Sequence, residues 1–180
     1  WTNWYSNGQK EWERTYKDGK LDGLQIGWSK DGTLQFKRNY KDGRKYGRST
    51  EYYKDDEYIR SGVSKNKIGD NHTITEYEDD KIHGRFLKFH EGQLVIEENY
   101  KQNELDGKSA WYYNNGQKKE EGTYKNGKED GLYTHWYENG QKREEATYKD
   151  SKYDGLFTEW YEIGQKKEEG NFNDGVGDGL

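Results

Sequence analysis

Three pairs of adjacent glutamates stand 24 residues apart in the second half of the chain, and paired carboxylates can support general acid–base chemistry. Each pair directly follows two basic residues. The combined motifs are Lys118-Lys119-Glu120-Glu121, Lys142-Arg143-Glu144-Glu145 and Lys166-Lys167-Glu168-Glu169. A catalytic carboxyl needs a shifted pKa in a cleft, and an active site occurs once in a chain rather than in every repeat. We therefore interpret these residues as solvated cross-strand charge pairs and predict that the protein is not an enzyme.

Metal and cofactor chemistry find no support in the sequence either. The segments 18–23 and 174–179 are rich in Asp and Gly, but their spacing differs from that of a calcium loop, and turns require the same residues. The four histidines, His72, His83, His90 and His135, lack the spacing of a metal site. Cys is absent, and no nucleophile motif is present. We predict no cofactor and no metal.

The composition restricts the class of protein. Charged residues make up 36% of the 180 residues, apolar residues 28% and aromatic residues 16%, with a net charge of −5. Apolar residues are too few for one thick core, and rings are too frequent for a disordered chain. The mixed charges argue against nucleic-acid binding and against attraction to an anionic membrane surface. No apolar run reaches the roughly 18 residues of a membrane-spanning helix.

The sequence leaves the compartment open. A chain without Cys fits the cytosol, and it also fits the surface of an organism that makes few disulfides. Because the chain begins at Trp1 rather than at Met, we expect a processed or truncated product from which a signal peptide could have been removed.

The strongest pattern is an internal repeat of about 24 residues. Its opening glycines are Gly23, Gly47, Gly84, Gly107, Gly131, Gly155 and Gly179. We divide residues 1–180 into one array, with two repeats in 1–47, a degenerate repeat in 48–83 and four repeats in 84–180, the last incomplete. The break in 48–83 is explained equally well by an insertion on a binding face and by neutral drift. Because the chain ends on the opening of another repeat, we expect the natural array to continue past Leu180.

Each repeat predicts a β-hairpin, because Trp, Tyr and Thr favour strands and frequent Gly disfavours helix. Asn139-Gly140 signals a two-residue type I′ turn, in which both residues have positive φ. The segments 18–23 and 126–131 are interpreted as longer loops. The predicted fold is all-β: an elongated single-layer antiparallel meander of tandem hairpins, with aromatic side chains packed between neighbouring repeats.

This turn also predicts a register and two faces. The expected pairs are Tyr137 with Lys142, Trp136 with Arg143, Tyr133 with Ala146 and Gly131 with Tyr148. Directly opposed residues share a face. Tyr133, Tyr137, Ala146 and Tyr148 are therefore predicted on one face, opposite Leu132, Trp136 and Thr147.

Trp and Tyr recur at one repeat position and predict an aromatic stripe. The candidate binding residues in this stripe are Tyr5, Trp28, Trp111, Tyr112, Trp136, Tyr137, Trp160 and Tyr161. A single sheet must bury apolar groups between its repeats, so the stripe is one candidate for the core of the fold. Tyr and Trp are also enriched at protein interfaces, so the same stripe is a candidate recognition surface.

The motif Gly…Trp/Phe-Tyr-x-x-Gly-Gln, followed by Tyr/Phe-x-x-Gly and Asp-Gly, resembles the MORN repeat, and more closely the bacterial variant in antitoxins called the YwqK family. The matching residues of a late repeat are Trp136, Gly140, Tyr148 and Gly155, whereas Phe89 and Ser151 depart from the pattern. The resemblance implies an extended antiparallel sheet with binding rather than catalytic roles. Eukaryotic relatives act in membrane or cytoskeletal scaffolding, and bacterial relatives act in toxin neutralisation or lie in surface and secreted proteins.

We therefore expect a non-catalytic module that binds another protein, either a toxin or a surface partner, in the cytoplasm or at the surface of a bacterium. One alternative is a structural spacer within a longer repeat protein. Another is association with membrane lipid or glycan through exposed aromatics. The open edges of the sheet also predict edge-to-edge self-association.

Overall fold

The computed structural model describes residues 1–53 and 70–178, which form antiparallel β-strands and no helix. The chain divides into two compact units, Trp1–Gln93 and Leu94–Leu180. The all-β prediction of tandem antiparallel hairpins is confirmed in each unit.

The first unit contains strands β1 to β8. Their bounds are β1 Thr2–Trp4, β2 Lys10–Lys17, β3 Lys20–Trp28, β4 Leu34–Lys41, β5 Arg44–Lys45, β6 Gly47–Tyr52, β7 His72–Glu78 and β8 Lys81–His90. Each strand pairs antiparallel with the next, except that β4 pairs with both the short β5 and β6.

The second unit begins within strand β9 and follows the same order. Its strands are β9 Gln93–Lys101, β10 Glu104–Tyr112, β11 Lys118–Lys125, β12 Lys128–Glu129, β13 Gly131–Trp136, β14 Lys142–Lys149, β15 Lys152–Trp160, β16 Lys166–Asn173 and β17 Val176–Gly177. Successive strands again pair antiparallel, and β11 pairs with both β12 and β13.

The turn at Asn139-Gly140 is a three-residue loop, so the type I′ prediction is wrong there. The Tyr137 amide donates to the Gln141 carbonyl at 2.8 Å, and the Gly140 amide donates to the Tyr137 carbonyl at 2.9 Å. Gly140 has φ 84°, whereas Asn139 stays outside the left-handed region. This is the hairpin in which one left-handed residue follows the turn and forms a bulge. We call this connection the wide turn.

Type I′ turns occur instead in the segments that the sequence suggested were longer loops. Asn126 and Gly127 have φ 50° and 78°, and Asp18 and Gly19 have 48° and 76°. Lys125 pairs directly with Lys128 across the first of these turns, which leaves two residues in the loop. We call this connection the tight turn. The second glycine of the motif, Gly131, is not a loop residue but opens the next strand.

The predicted register holds away from the wide turn and fails beside it. Tyr133 pairs with Ala146 and Gly131 with Tyr148, as predicted, but Trp136 pairs with Lys142 instead of Arg143. The predicted pairing of Tyr137 with Lys142 is wrong for the same reason. The three-residue loop shifts the pairing by one residue, and a bulge between His135 and Trp136 restores it.

The bulge also decides how the charges pair. In a regular strand residues three apart face opposite sides, but one extra residue brings Lys142 and Glu145 to the same side, where they form an ion pair. Lys118 with Glu121 and Lys166 with Glu169 repeat this contact. These pairs lie along one strand, so the cross-strand prediction is wrong for them. Lys167 does pair across strands with Glu159, at 2.9 Å.

The core of the second unit is a chain of rings on one side of the sheet. Centroid distances are 6.3 Å for Tyr124–Tyr133, 5.8 Å for Tyr133–Tyr148, 4.8 Å for Tyr148–Tyr153 and 5.1 Å for Tyr153–Phe172. Phe157 packs against the last two rings. We call this side the ring face. The prediction that rings pack between successive repeats is confirmed, but these rings are not the residues of the predicted stripe.

Small residues make room for these rings. Ala146 is only 1% exposed and lies opposite both Tyr133 and Phe157 on the neighbouring strands. At the equivalent position of the preceding repeat, a Cβ on Gly122 would lie 2.1 Å from a ring carbon of Tyr133. The ring face therefore has no space for larger side chains at these two positions.

The degenerate repeat retains the strand pairing and the tyrosine hydrogen bond found at the two ends of a regular repeat. Gly47 pairs with Tyr77, as Gly131 does with Tyr148. The Tyr53 hydroxyl donates to the Phe89 carbonyl at 2.9 Å, and this bond identifies Tyr53 and Phe89 as the equivalents of Tyr137 and Trp160. The extra residues 54–69, where the sequence left a binding-face insertion open, lie outside the described residues, as do Gly179 and Leu180.

Candidate binding surfaces

The structure separates the predicted stripe into three groups. Trp111 lies on the ring face, where its Nε1 donates to Glu98 Oε1 at 3.3 Å. Tyr5, Tyr137 and Tyr161 begin wide turns. Trp28, Tyr112, Trp136 and Trp160 precede wide turns, and the last three are aligned by their pairing with Lys118, Lys142 and Lys166. The prediction that Trp111 shares a repeat position with Trp136 is therefore wrong, because Tyr112 occupies that position.

The second sheet face of this unit, opposite the ring face, carries lysines placed over tryptophan rings. Lys118 Nζ lies 5.9 Å from the centroid of Trp136, and Lys142 Nζ lies 5.8 Å from that of Trp160. Trp136 and Trp160 thus have equivalent surroundings in successive repeats. Exposed cation–π contacts contribute about 0.5–1 kcal/mol each. We call this side, defined by Leu132, Trp136, Leu156 and Trp160, the Lys–Trp face.

The wide turns are linked by a ladder of hydrogen bonds. The hydroxyl of Tyr113 donates to the carbonyl of Trp136 at 2.8 Å, and that of Tyr137 donates to the carbonyl of Trp160 at 2.9 Å. In the first unit Tyr5 makes the same bond to Trp28 at 2.9 Å. Tyr5, Tyr113 and Tyr137 therefore hold neighbouring repeats together through their hydroxyl groups, while Tyr161 is 51% exposed.

The turn asparagines form a second rung of this ladder. Asn139 Oδ1 accepts the Gln141 amide at 2.9 Å, and Asn139 Nδ2 donates to the Glu162 carbonyl in the next turn at 3.0 Å. Asn115 makes the corresponding bond to the Glu138 carbonyl at 3.0 Å. Ile163 stands at the Asn position of the last repeat and cannot make this bond.

Exposed leucines lie on the Lys–Trp face, although the repeat pattern did not predict them as binding residues. Leu132 and Leu156 are each 55% exposed and lie on β13 and β15, with β14 between them. Two strand spacings separate them by about 10 Å. The signal that could have found them is the leucine that follows the opening glycine in Gly131-Leu132 and Gly155-Leu156.

The ring face holds partly buried ionisable groups that serve packing. Burial first, and then a hydrogen bond to Glu98, raise the pKa of Tyr100 to about 12. Burial is also the main cause that lowers the pKa of His135, whose Nδ1 lies 3.5 Å from Glu120 Oε2. Within residues 1–53 and 70–178, no group of three His, Asp or Glu side chains is placed to hold a metal ion. In the same residues no helix has the length and apolar character of a membrane span.

These features define a protein of tandem β-hairpins whose wide turns are tied together by tyrosine and asparagine. Four segments, residues 21–42, 105–126, 129–150 and 153–174, match the MORN repeat variant. Each match begins just after one tight turn and ends at the next. No curated protein matches the chain.

Proposed function

We propose that this chain is a non-catalytic repeat module that binds another protein through the Lys–Trp face of its second unit. The observation that carries the proposal is the exposure of Leu132 and Leu156 on the face that also carries Trp136 and Trp160. The rings of the opposite face supply the packing between repeats, so the fold does not need these leucines. Exposed apolar groups aligned on one face are a feature of interaction sites.

The spacing of Leu132 and Leu156 indicates which kind of partner segment fits this face. Their separation of about 10 Å matches side chains seven residues apart on an α-helix, which rises about 1.5 Å per residue. On β14, Lys142 lies opposite Trp136 and Glu145 lies opposite Thr134, so the same face also carries groups of both signs. The face suits an amphipathic segment with an apolar stripe and mixed flanking charges.

We further propose a class of partner for this face. The resemblance of the repeats to YwqK-family antitoxins favours a toxin, which the module would neutralise by covering its surface. A partner at a bacterial cell surface is the second candidate, which the same resemblance supports. Co-expression with the product of the adjacent gene distinguishes them, because only an antitoxin restores growth that this product inhibits.

The test of the face is the double substitution Leu132→Ser and Leu156→Ser. Binding to the purified partner, measured by calorimetry, is expected to weaken at least tenfold, because each lost leucine contributes about 1 kcal/mol or more at a desolvated contact. Leu24→Ser is the matched control, since Leu24 also follows an opening glycine, is 40% exposed and lies on β3 of the first unit. Full binding by the double variant would refute the proposal.

Binding to lipid vesicles or to glycans is the alternative to protein binding, and both can be measured. Lipid association requires that the chain co-sediments with anionic vesicles and that the double variant does not. The proposal predicts no co-sedimentation and no glycan capture, and either result in the unsubstituted chain, lost in the double variant, would assign the face to that ligand instead.

A further inference from the structure

Two arginines of the first unit stand at the repeat position that Ala146 occupies in the second unit. Arg38 pairs with Gln25 of β3, just as Ala146 pairs with Tyr133 of β13. Arg14 pairs with Gln25 from the other side, on β2. Because directly opposed residues share a face, both arginine side chains lie on one face with Gln25. The first unit therefore has two cations at a position that the second unit uses for packing.

Each of these arginines stacks on an aromatic ring of its own strand. The guanidinium carbon of Arg14 lies 4.0 Å from the ring centroid of Trp12, and that of Arg38 lies 3.8 Å from the ring centroid of Phe36. Stacking holds the planar guanidinium in one orientation and leaves the N–H donors at its edge for a planar acceptor. We call this side of the first unit, defined by Trp12, Arg14, Phe36 and Arg38, the arginine face.

Arg38 shows which acceptor the position takes. Its Nε donates to Oε1 of Glu51 at 2.6 Å, and a terminal nitrogen donates to Oε2 of the same carboxylate at 2.9 Å. This hydrogen bonding raises the pKa of Arg38. Two parallel N–H donors to one carboxylate are the strongest and most specific pairing of a guanidinium. The arginine face thus contains a carboxylate site whose ligand is a side chain of the chain itself.

Arg14 has no corresponding carboxylate. Gly27 occupies on β3 the position that Glu51 occupies on β6, so the following strand offers Arg14 no acidic side chain. On the preceding strand Arg14 is opposite Trp1, whose carbonyl accepts the Arg14 main-chain amide at 2.8 Å. Both strands next to β2 are therefore described at this position. The Nε of Arg14 is buried and has no hydrogen-bond partner among the described residues, which is costly for an N–H donor that water does not reach.

Gln25 places a second unpaired polar group beside Arg14. It is only 5% exposed and lies on the middle strand between Arg14 and Arg38. Within residues 1–53 and 70–178, its side-chain amide has no hydrogen-bond partner. A buried amide normally has one. Arg14 and Gln25 therefore present unpaired N–H donors from adjacent strands on the same face.

We propose that Arg14 and Gln25 form a binding site for a carboxylate ligand, which binds Arg14 as Glu51 binds Arg38. The two carboxylate oxygens accept hydrogen bonds from Nε and a terminal nitrogen of Arg14, and one of them also accepts from the amide of Gln25. Arg14 is partly exposed, so the ligand first meets its terminal nitrogens, and a shift of the side chain along the Trp12 ring then brings Nε to the ligand. The site lies in the first unit and does not depend on the Lys–Trp face.

The side-chain Nε–Hε resonance of Arg14 tests this site directly. This NMR signal, identified by its absence from Arg14→Lys, is expected to shift on titration with a short peptide that contains one glutamate. It is not expected to shift with the same peptide carrying glutamine instead. The signal of Arg38 is the internal control, because its Nε already donates to Glu51.

A parallel titration with glutarate distinguishes the two sources of the carboxylate. Tighter binding of the glutamate peptide assigns the site to an acidic segment of a partner protein. Equal binding of glutarate assigns it to a small organic acid. Either result supports the site, because both ligands present the same planar group to Arg14.

Glu51→Gln offers a gain-of-function test. It removes the carboxylate from Arg38, and the Arg38 signal is then expected to respond to glutarate as the Arg14 signal does, which adds a second binding site. Arg14→Lys retains the positive charge but loses the paired donors of the guanidinium edge. It is expected to weaken binding of the glutamate peptide about tenfold, and circular dichroism confirms that the sheet is retained in both variants.

Two results would overturn the proposal. One is an Arg14 signal that shifts with neither the glutamate peptide nor glutarate at their highest soluble concentrations. The other is unchanged affinity in Arg14→Lys, which would show that charge alone attracts the ligand. Inorganic phosphate, titrated under the same conditions, is expected to bind more weakly, and an equal or larger response to phosphate would refute the assignment to a carboxylate.

Discussion

The phenolic oxygen of Tyr137 lies 2.9 Å from the main-chain carbonyl oxygen of Trp160, 23 residues further along the chain. This bond joins two wide turns, and the same bond recurs from Tyr113 to Trp136. Tyr137 and Tyr113 therefore join the repeats through their hydroxyl groups, whereas the ring contacts that pack the repeats come from other tyrosines.

Removing this hydroxyl is expected to destabilise the fold only where a following repeat accepts the bond. Tyr137→Phe should lower the free energy of unfolding by about 0.5–1.5 kcal/mol, the net value of one hydrogen bond. Tyr161→Phe is the control, since no described residue accepts from Tyr161, and it should cost less than about 0.5 kcal/mol. Urea unfolding followed by tryptophan fluorescence measures both, and equal losses would contradict the ladder.

The ring face should reject larger side chains. Ala146→Leu forces a bulky group under the rings of Tyr133 and Phe157 and is expected to cost about 1–3 kcal/mol. The reverse exchange at an exposed position of the Lys–Trp face, Leu132→Ala, should cost less than about 0.5 kcal/mol. The account of the core is wrong if thermal unfolding ranks these two variants in the opposite order.

The stability of the tight turns should depend on the backbone conformation of their glycine and not on side-chain contacts at that position. Gly127 has φ 78° and no atom within 4 Å of the Cβ that a larger residue would add, so Gly127→Ala suffers no clash. It should nevertheless lose about 1–2 kcal/mol because alanine is disfavoured in the left-handed region. Gly127→Asn should recover most of this loss, since Asn tolerates that region. Chemical denaturation of both variants measures the difference, and equal stability of the Ala variant and the parent would contradict the turn assignment.

Alkaline pH should destabilise the second unit. The pKa of Tyr100 is raised from its ordinary value of 10.0 to about 12 by burial and by Glu98, so the folded state holds the proton more tightly than the unfolded state does. The resulting stability is complete below pH 10 and is lost as the pH rises towards 12. Burial raises the pKa of Tyr133 in the same direction.

Thermal unfolding at a series of pH values measures this effect. The melting temperature should fall between pH 10 and 12, and it should fall less steeply in the Tyr100→Phe variant, which has no proton to lose. If the melting temperature of Tyr100→Phe falls with pH as steeply as that of the parent, Tyr100 does not cause the loss of stability.

The sequence was sufficient to predict the repeat, the hairpins and the pairing of Tyr133 with Ala146. It misplaced the turn types, because Asn-Gly fits both a two-residue turn and the end of a three-residue loop. In the observed loop Glu138 is an additional loop residue and Asn139 stays outside the left-handed region. The compensating bulge was also hidden. The four residues Lys142 to Glu145 are all charged, so hydrophobic alternation could not reveal the extra residue that shifts Arg143.

The same bulges explain why the stripe was misassigned. Each bulge changes which residues share a face, and the run Trp111-Tyr112-Tyr113 allows the Trp-Tyr pattern to be aligned in two ways. The pairing of Tyr112 with Lys118 shows which alignment is correct, and the 24-residue spacing from Gly116 to Gly140 agrees with it. The exposed leucines were missed because an apolar residue in a strand is expected to be buried, and the sequence does not show which face supplies the packing.

A paired comparison of Tyr133→Ala and Trp136→Ala tests the central claim most directly, which is that the ring face holds the fold together and leaves the Lys–Trp face available for binding. Tyr133 is 8% exposed, and its loss should lower the free energy of unfolding by about 3–5 kcal/mol. Trp136→Ala should lower it less, by about 1–2 kcal/mol, because it removes one cation–π contact and the part of the ring surface that is buried. If Trp136→Ala destabilises the protein as much as Tyr133→Ala does, the tryptophan stripe is the core and the account is contradicted.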